Sequence, residues 1–137
     1  MNVLLIEDSN TLAQLFDVQL RQLGHKLTTA ETKAEAMAAF EAQTFDLIFI
    51  DMGLEGQQDR GLQILIEMRG LAPTQRIGIL SSNDQRDVVR RSREEGAEFY
   101  MVKPFTMDGL MVVLSGDKQT IQNYQPEIGE GRIIYLQ

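Results

Sequence analysis

The 137-residue sequence predicts a single α/β domain, a doubly wound five-stranded parallel sheet with helices on both faces. Three observations carry that expectation. Short runs at 2–6, 45–51, 77–80 and 98–102 are too brief for buried helices and too continuously apolar for surface strands. Segments of helical spacing separate the strands, and five strand-to-helix alternations without an internal repeat call for right-handed crossovers within one sheet. Several runs stop abruptly at a polar residue, at the edge where open α/β sheets present their ligands.

At this length one domain buries about two-thirds of the surface its unfolded chain exposes. Cysteine is absent, which excludes disulfides, thiolate metal sites and a thiol nucleophile. The first residues hold no basic leader and reach acids by position 7, and no apolar run approaches the roughly 18 residues of a membrane span. A soluble, cytoplasmic protein without membrane insertion is expected. Net charge is -7, with ten acids and four bases in residues 1–60 against ten and nine in 61–137. Nucleic-acid affinity rests on phosphate neutralisation by Lys and Arg, so this balance disfavours direct nucleic-acid binding.

The first strand, 2–6, ends in Glu7-Asp8. Ser9 or Asn10 can cap a helix whose Leu12, Leu15, Phe16, Leu20 and Leu23 share one face, and Gly24 is its stop. Residues 25–30 form a shorter, more polar strand suited to a sheet edge. Thr32 with Glu35 makes a capping box that opens an Ala-rich helix through Ala34, Met37, Ala38 and Phe40. The run from Phe45 to Ile50 stops at Asp51 and passes into the turn Met52-Gly53-Leu54-Glu55-Gly56. A third helix, about 60–69, carries Leu62, Leu65 and Ile66 inward and closes at Gly70, before Pro73.

Ile77 to Leu80 ends at Ser81-Ser82. The fourth helix, about 84–95, is polar apart from Val88 and Val89, so it should be the least firmly held. Glu98 to Val102 ends at Lys103-Pro104. Thr106 caps the last helix, where Met107, Leu110, Met111 and Leu114 repeat at helical spacing and Gly116 ends the run. Gly109 weakens that helix by about 1 kcal/mol. Residues 117–137 stand outside the pattern, except that Arg132 to Leu136, following Gly131, reads as an isolated strand.

The strand ends therefore collect Glu7, Asp8, Asp51, Ser81 and Lys103. Three carboxylates close together repel one another unless a cation sits among them. A hard, oxygen-seeking ion such as Mg²⁺ fits, and keeps open positions that a phosphoryl oxygen can take. Asp51 can then act as a carboxylate nucleophile that forms an acyl phosphate, with Lys103 as a point charge and Ser81 as a donor to the remaining oxygens. Singly, each residue has a plainer reading: Glu7-Asp8 as a helix-capping pair, Lys103 as a solvated lysine, Ser81 as a turn hydroxyl, Tyr100 as an edge-strand aromatic. Their joint placement favours chemistry. His25 begins an edge strand away from these acids. Arg86, Arg90, Arg91 and Arg93 are interleaved with Asp84, Asp87, Glu94 and Glu95, a self-paired solvated face. No Gly-rich phosphate loop opens any helix.

The order Glu7-Asp8, Phe45 to Asp51, Ser81, and Tyr100-Met101-Val102-Lys103-Pro104-Phe105 resembles the receiver domain of two-component response regulators, as in single-receiver chemotaxis regulators, over residues 2 to about 115. The resemblance implies the flavodoxin-like strand order 2-1-3-4-5, a receiver domain over 1–116 and a tail over 117–137. It implies a phosphoacceptor signalling module rather than an enzyme. Asp51 would take a phosphoryl group from a histidine kinase or histidine phosphotransfer protein, with Mg²⁺ on Glu7, Asp8, Asp51 and the Gly53 carbonyl. Lys103 would pair with the phosphoryl group, Ser81 would move to it, and Tyr100 would rotate into the space vacated. The surface of the fourth helix, fifth strand and fifth helix would then signal to a downstream protein target. A cis Lys103-Pro104 bond is expected by the same resemblance.

Glu55 stands where the family usually has proline, and the following loop is two residues longer, which implies a looser site. Glu55 either assists the metal, repels the phosphoryl group or faces water, the last being favoured. Serine replaces the usual threonine at 81, and Ser82 a small apolar residue, while Asn83 and Gly53 occupy positions at which the family varies phosphoryl lifetime. Two other readings stand beside the switch. A small phosphatase with an aspartyl-phosphate intermediate is disfavoured, since no acid lies two residues after Asp51 and no cap insertion is present. A phosphorylation-independent, receiver-like interaction module draws support only from Glu55 and the longer loop. The tail is expected to add a strand to an exposed edge, its own or a partner protomer's, which leaves a homodimer open, or to begin a linker.

Overall fold

The computed structural model describes residues 1–126 and 131–137. Its strands are β1 (Asn2–Ile6), β2 (Lys26–Ala30), β3 (Leu47–Asp51), β4 (Ile77–Ser81), β5 (Phe99–Val102) and β6 (Ile133–Tyr135). Its helices are α1 (Asn10–Gln22), α2 (Lys33–Ala42), α3 (Arg60–Leu71), α4 (Arg86–Glu94), α5 (Met107–Leu114) and α6 (Lys118–Gln122), with a 3-10 turn at Leu54–Gly56. One sheet runs in the order β2-β1-β3-β4-β5-β6. The first five strands are parallel, as expected, and β6 pairs antiparallel with β5.

Alternation along the strands builds two apolar layers. Leu4, Ile6, Ile48, Ile50 and Tyr100 face Ala36, Leu65, Met68 and Val89 of α2, α3 and α4. Val3, Leu5, Phe49, Phe99 and Met101 face Phe16, Leu20, Leu110 and Val113 of α1 and α5. Gly78 sits inside a strand because the Phe99 ring lies over it; a Cβ there would be 2.1 Å from that ring. Phe49 meets Phe99 at 5.8 Å and Phe16 at 5.2 Å, and Phe16 in turn meets Phe105 at 5.3 Å, which ties α1 to the segment after β5.

Ser9 is the cap of α1, accepting from Leu12 N–H, and Thr32 caps α2 as expected. The helical stripes are narrower than the sequence suggests, because a helix lying on a sheet buries only the residues that point at it. Leu15 on α1, Leu23 at its C-cap, Ile66 on α3 and Met111 on α5 are exposed. Ile64, Met68 and Val113 take the inward positions instead. α3 runs through Gly70 to Leu71, and stops where Pro73 holds Ala72 out of helical geometry, at φ -141° and ψ 84°. α4 buries only Val89 and Ser92, in keeping with its thin stripe.

The tail joins the domain's own edge. Ile134 and Leu136 pack into one layer and Ile133 against the other, so β6 continues the strand alternation. α6, capped by Asp117 and anchored by buried Ile121, was not legible, since five residues are too few to show a helical period. Gly109 weakens α5 but makes room for the tail: a Cβ there would lie 3.3 Å from the Tyr124 hydroxyl. Among the described residues no helix is long and apolar enough to cross a membrane.

Candidate functional site

Parallel strands of matched register deliver their ends together. Asp51 closes β3, Ser81 closes β4 directly beside it, Glu7 and Asp8 follow β1, and Lys103 follows β5. Carboxylate oxygens of Glu7, Asp8 and Asp51 lie within 4.8 Å of one another. Lys103 Nζ bridges the buried pair, 2.9 Å from Glu7 Oε2 and 3.4 Å from Asp51 Oδ1. A cleft of about 360 Å³ opens beside Asp51, which lines it with Ser81, Ser82, Asn83, Arg91 and Lys103 among others.

Burial pushes the Glu7 carboxyl above its ordinary pKa, and the neighbouring Asp51 charge adds to this against the opposing hydrogen bond from Lys103. Burial alone would pull Lys103 down. Its pairing with Glu7 and Asp51 outweighs that and holds it above the usual lysine value. The ammonium thus partly supplies the cation that three acids demand. Opposite oxygens of an Mg²⁺ octahedron are about 4.2 Å apart and adjacent ones about 3 Å. Oxygens within 4.8 Å of one another therefore stand slightly wider than such an octahedron, and would close on the ion by a few tenths of an ångström each.

Gly53 N–H donates to Asp51 Oδ1 at 3.3 Å. The Gly53 carbonyl accepts from Gly56 N–H at 3.2 Å, which leaves it a second lone pair for a ligand. The longer loop is pinned rather than loose. Leu54 is fully buried, and Glu55 N–H donates to Asp8 Oδ2 at 3.1 Å. Glu55 does not simply face water: its carboxylate lies 3.3 Å from Arg60 Nε and 3.4 Å from the Lys33 N–H. Its carboxylate is not part of the three-acid cluster, and its backbone holds a positive φ of 58°. Arg91, expected to pair within its own helix, reaches Asp59 of this loop at 3.6 Å, whereas Arg90 does pair with Glu94 at 3.7 Å.

Ser81 Oγ accepts from Asn83 N–H at 3.0 Å. Tyr100 is fully buried and its hydroxyl donates to the Asn83 carbonyl. Burial raises its phenol pKa, with the Ser81 hydroxyl acting in the opposite sense. Asn83 therefore links Ser81 to Tyr100, a role its sequence position did not announce. Gly61 was also missed. A Cβ there would lie 2.3 Å from the Asp51 carbonyl oxygen, and its N–H donates to Met52 O at 3.0 Å, so α3 begins hard against the end of β3. A glycine at the second position of a helix, where no turn needs it, was the available signal. His25 lies at the far edge, 2.9 Å from the Met1 ammonium. The Lys103-Pro104 bond is cis.

The response regulator receiver domain family matches residues 3–115. The chain belongs to that family. It is 33% identical over 108 residues to the alginate biosynthesis transcriptional regulatory protein AlgB of Pseudomonas aeruginosa, covering 79% of this chain and 24% of that protein. Against the cell cycle transcriptional regulator CtrA of Caulobacter vibrioides it is 31% identical over 111 residues, covering 81% and 47%. The receiver thus spans a quarter to a half of the length of these curated relatives. A CheY-like receiver domain protein from Methanospirillum hungatei JF-1 superposes with a TM-score of 0.79 at 19% identity, covering 90% of this chain and 98% of that one, which shows the shared fold. A response regulator from Burkholderia pseudomallei, solved with a phosphorylated aspartic acid, a calcium ion and citrate, superposes with a TM-score of 0.78 at 25% identity, covering 88% and 69%.

Proposed function

We propose that Asp51 is the phosphoacceptor of a two-component phosphorelay. A carboxylate oxygen of Asp51 attacks the phosphorus of a phosphohistidine on a histidine kinase or phosphotransfer protein. The P–N bond breaks, and its electron pair leaves with the imidazole, which takes up a proton. The single observation behind this is the buried Asp51 carboxylate, 3.4 Å from the Lys103 ammonium and within a cluster of two further acids.

Glu7, Asp8, Asp51 and the free lone pair of the Gly53 carbonyl would hold Mg²⁺, which when bound shields the acids and stabilises charge on the transferred group. Lys103 moves from carboxylates to phosphoryl oxygens, and Ser81 turns its hydroxyl from Asn83 N–H toward them. Freed of that bond, Asn83 and the Tyr100 it holds rearrange, and the α4–β5–α5 face changes shape. Its target is a protein, since a net charge of -7 disfavours phosphate-backbone contact. The setting is cytoplasmic. The module turns over only its own phosphoryl group.

Titration with Mg²⁺ and beryllofluoride, followed by amide NMR, tests this. Wild type is expected to shift Gly53, Asn83 and Tyr100, and Asp51→Asn to shift none. Equal shifts in both proteins, or none in either, would defeat the reading.

A further inference from the structure

We propose that the outer edge of β5 is a docking site for an extended segment of a partner protein, that residues 131–136 of this chain fill it as a stand-in, and that phosphorylation at Asp51 releases them. This rests on the phosphoacceptor reading and adds to it the partner's form and its control.

The seated segment shows what the edge accepts. Val102 N–H donates to Arg132 O at 2.9 Å and Leu136 N–H to Glu98 O at 2.8 Å, an antiparallel ladder with Ile134 opposite Tyr100. Ile133 and Ile134 send side chains to opposite apolar layers. Gly131 lies where a Cβ would be 1.8 Å from Val102 O and 2.1 Å from Pro104 O, both backbone atoms, so no side chain fits there. Arg132 reaches Asp84 at 3.1 Å. Main-chain bonds supply affinity for any strand, and the specificity lies in the pattern of a glycine, a cation, then consecutive apolar residues whose side chains enter the two layers in turn. A partner segment of that pattern is the occupant the edge fits.

The leading end of the seated segment is wired to the pocket twice. Arg132 holds Asp84, the neighbour of Asn83, whose own N–H is held by Ser81 Oγ and whose carbonyl is held by Tyr100. Beside it Gly131 lies against Pro104, next to Lys103, whose ammonium is bonded to Glu7 and Asp51. A phosphoryl group on Asp51 draws on Ser81 and Lys103 together, and so loosens both attachments. Between buried Gly131 and Leu136 the seat is lightly held: β6 has three half-buried residues, and both side chains of the Arg132–Asp84 pair are more than half exposed.

The experiment uses the full chain, hydrogen exchange by NMR, and a synthetic peptide of residues 131–137. Mg²⁺ with beryllofluoride is expected to speed exchange at Val102 and Leu136 by roughly tenfold or more, and to let wild type bind the peptide, which it does not bind beforehand. Gly131→Val is expected to expose the edge and bind the peptide without beryllofluoride. Should that variant fail to fold, Arg132→Ala, at an exposed position, is expected to give the same change in weaker form. If Gly53 and Asn83 respond to beryllofluoride while Val102 and Leu136 stay protected and no peptide binds, the docking inference fails and the phosphoacceptor reading stands. If no pocket amide responds, both fail.

Discussion

At one edge of the sheet, β2 pairs only with β1 and its side chains are mostly exposed or half-buried; its closest link to the acids is a backbone bond, from Glu7 N–H to Ala30 O at 2.9 Å. At the other edge, β6 covers β5 and is tied through Asp84 and Pro104 to the residues beside Ser81 and Lys103. Both edges close the same parallel sheet, yet only one is positioned to register a change at Asp51. Coupling follows shared contacts with two alternative arrangements, not distance from the site. The quiet edge holds the acids in fixed register, whereas at the other edge a short, half-buried β6 lies on a fully buried β5, so β6 can yield while β5 stays in place.

The largest expected effect tests how differently the edges are built. Phe99→Ala removes a fully buried ring that spans Gly78 and meets Phe49. It is expected to cost about 3–5 kcal/mol in urea denaturation. Leu27→Ala on the half-buried β2 should cost less than about 2 kcal/mol. Equal losses would erase the contrast in packing.

A smaller effect separates charge from signal. Lys103 occupies the same two carboxylates that a metal needs, and one charge at about 4 Å is worth roughly 1 kcal/mol in water and more where water is partly excluded. Lys103→Met should therefore tighten Mg²⁺ binding by about five- to tenfold in calorimetry. The same variant should weaken the beryllofluoride response at β6, since the attachment beside Pro104 no longer receives a pull while the route through Ser81 and Asn83 remains. Weaker Mg²⁺ binding, or an intact response at β6, would show that the lysine is not the link.

Legibility in the sequence divided along the same line. Four buried strands ending in Glu7-Asp8, Asp51, Ser81 and Lys103 announced both sheet and pocket, because continuous apolar runs that stop at polar residues carry their own register. Contacts that join segments distant in sequence were hidden. Nothing local marks Arg132 as a partner of Asp84, or Arg91 as a partner of Asp59. Glu55 read as a solvent-facing acid because its positive φ and its bond to Asp8 depend on a loop closing over another strand's end. The tail strand was visible in its branched and aromatic side chains, but whose edge it joined was a tertiary choice. Leu15, Ile66 and Met111 misled because periodicity fixes the spacing of a stripe and not its exact bearing on the sheet.

The smallest effect belongs to the quiet edge, and the single histidine reports it without interference. The Met1 ammonium donates to His25 Nδ1 at 2.9 Å, so that nitrogen must be unprotonated for the bond to exist. Burial, then the ammonium charge, lowers the His25 pKa below 6.5, with Asp46 opposing. A base whose folded-state pKa lies below its unfolded value favours folding in its neutral form. This contribution is whole above about pH 6.5 and declines as pH falls from there through the folded value. An NMR titration of the imidazole should give a midpoint below 6.5, and acetylating the amino terminus should raise it. Beryllofluoride should leave that midpoint in place while shifting Tyr100. A midpoint that moves with beryllofluoride would mean that β2 is coupled to Asp51 as well, and that the two edges differ in packing but not in signalling.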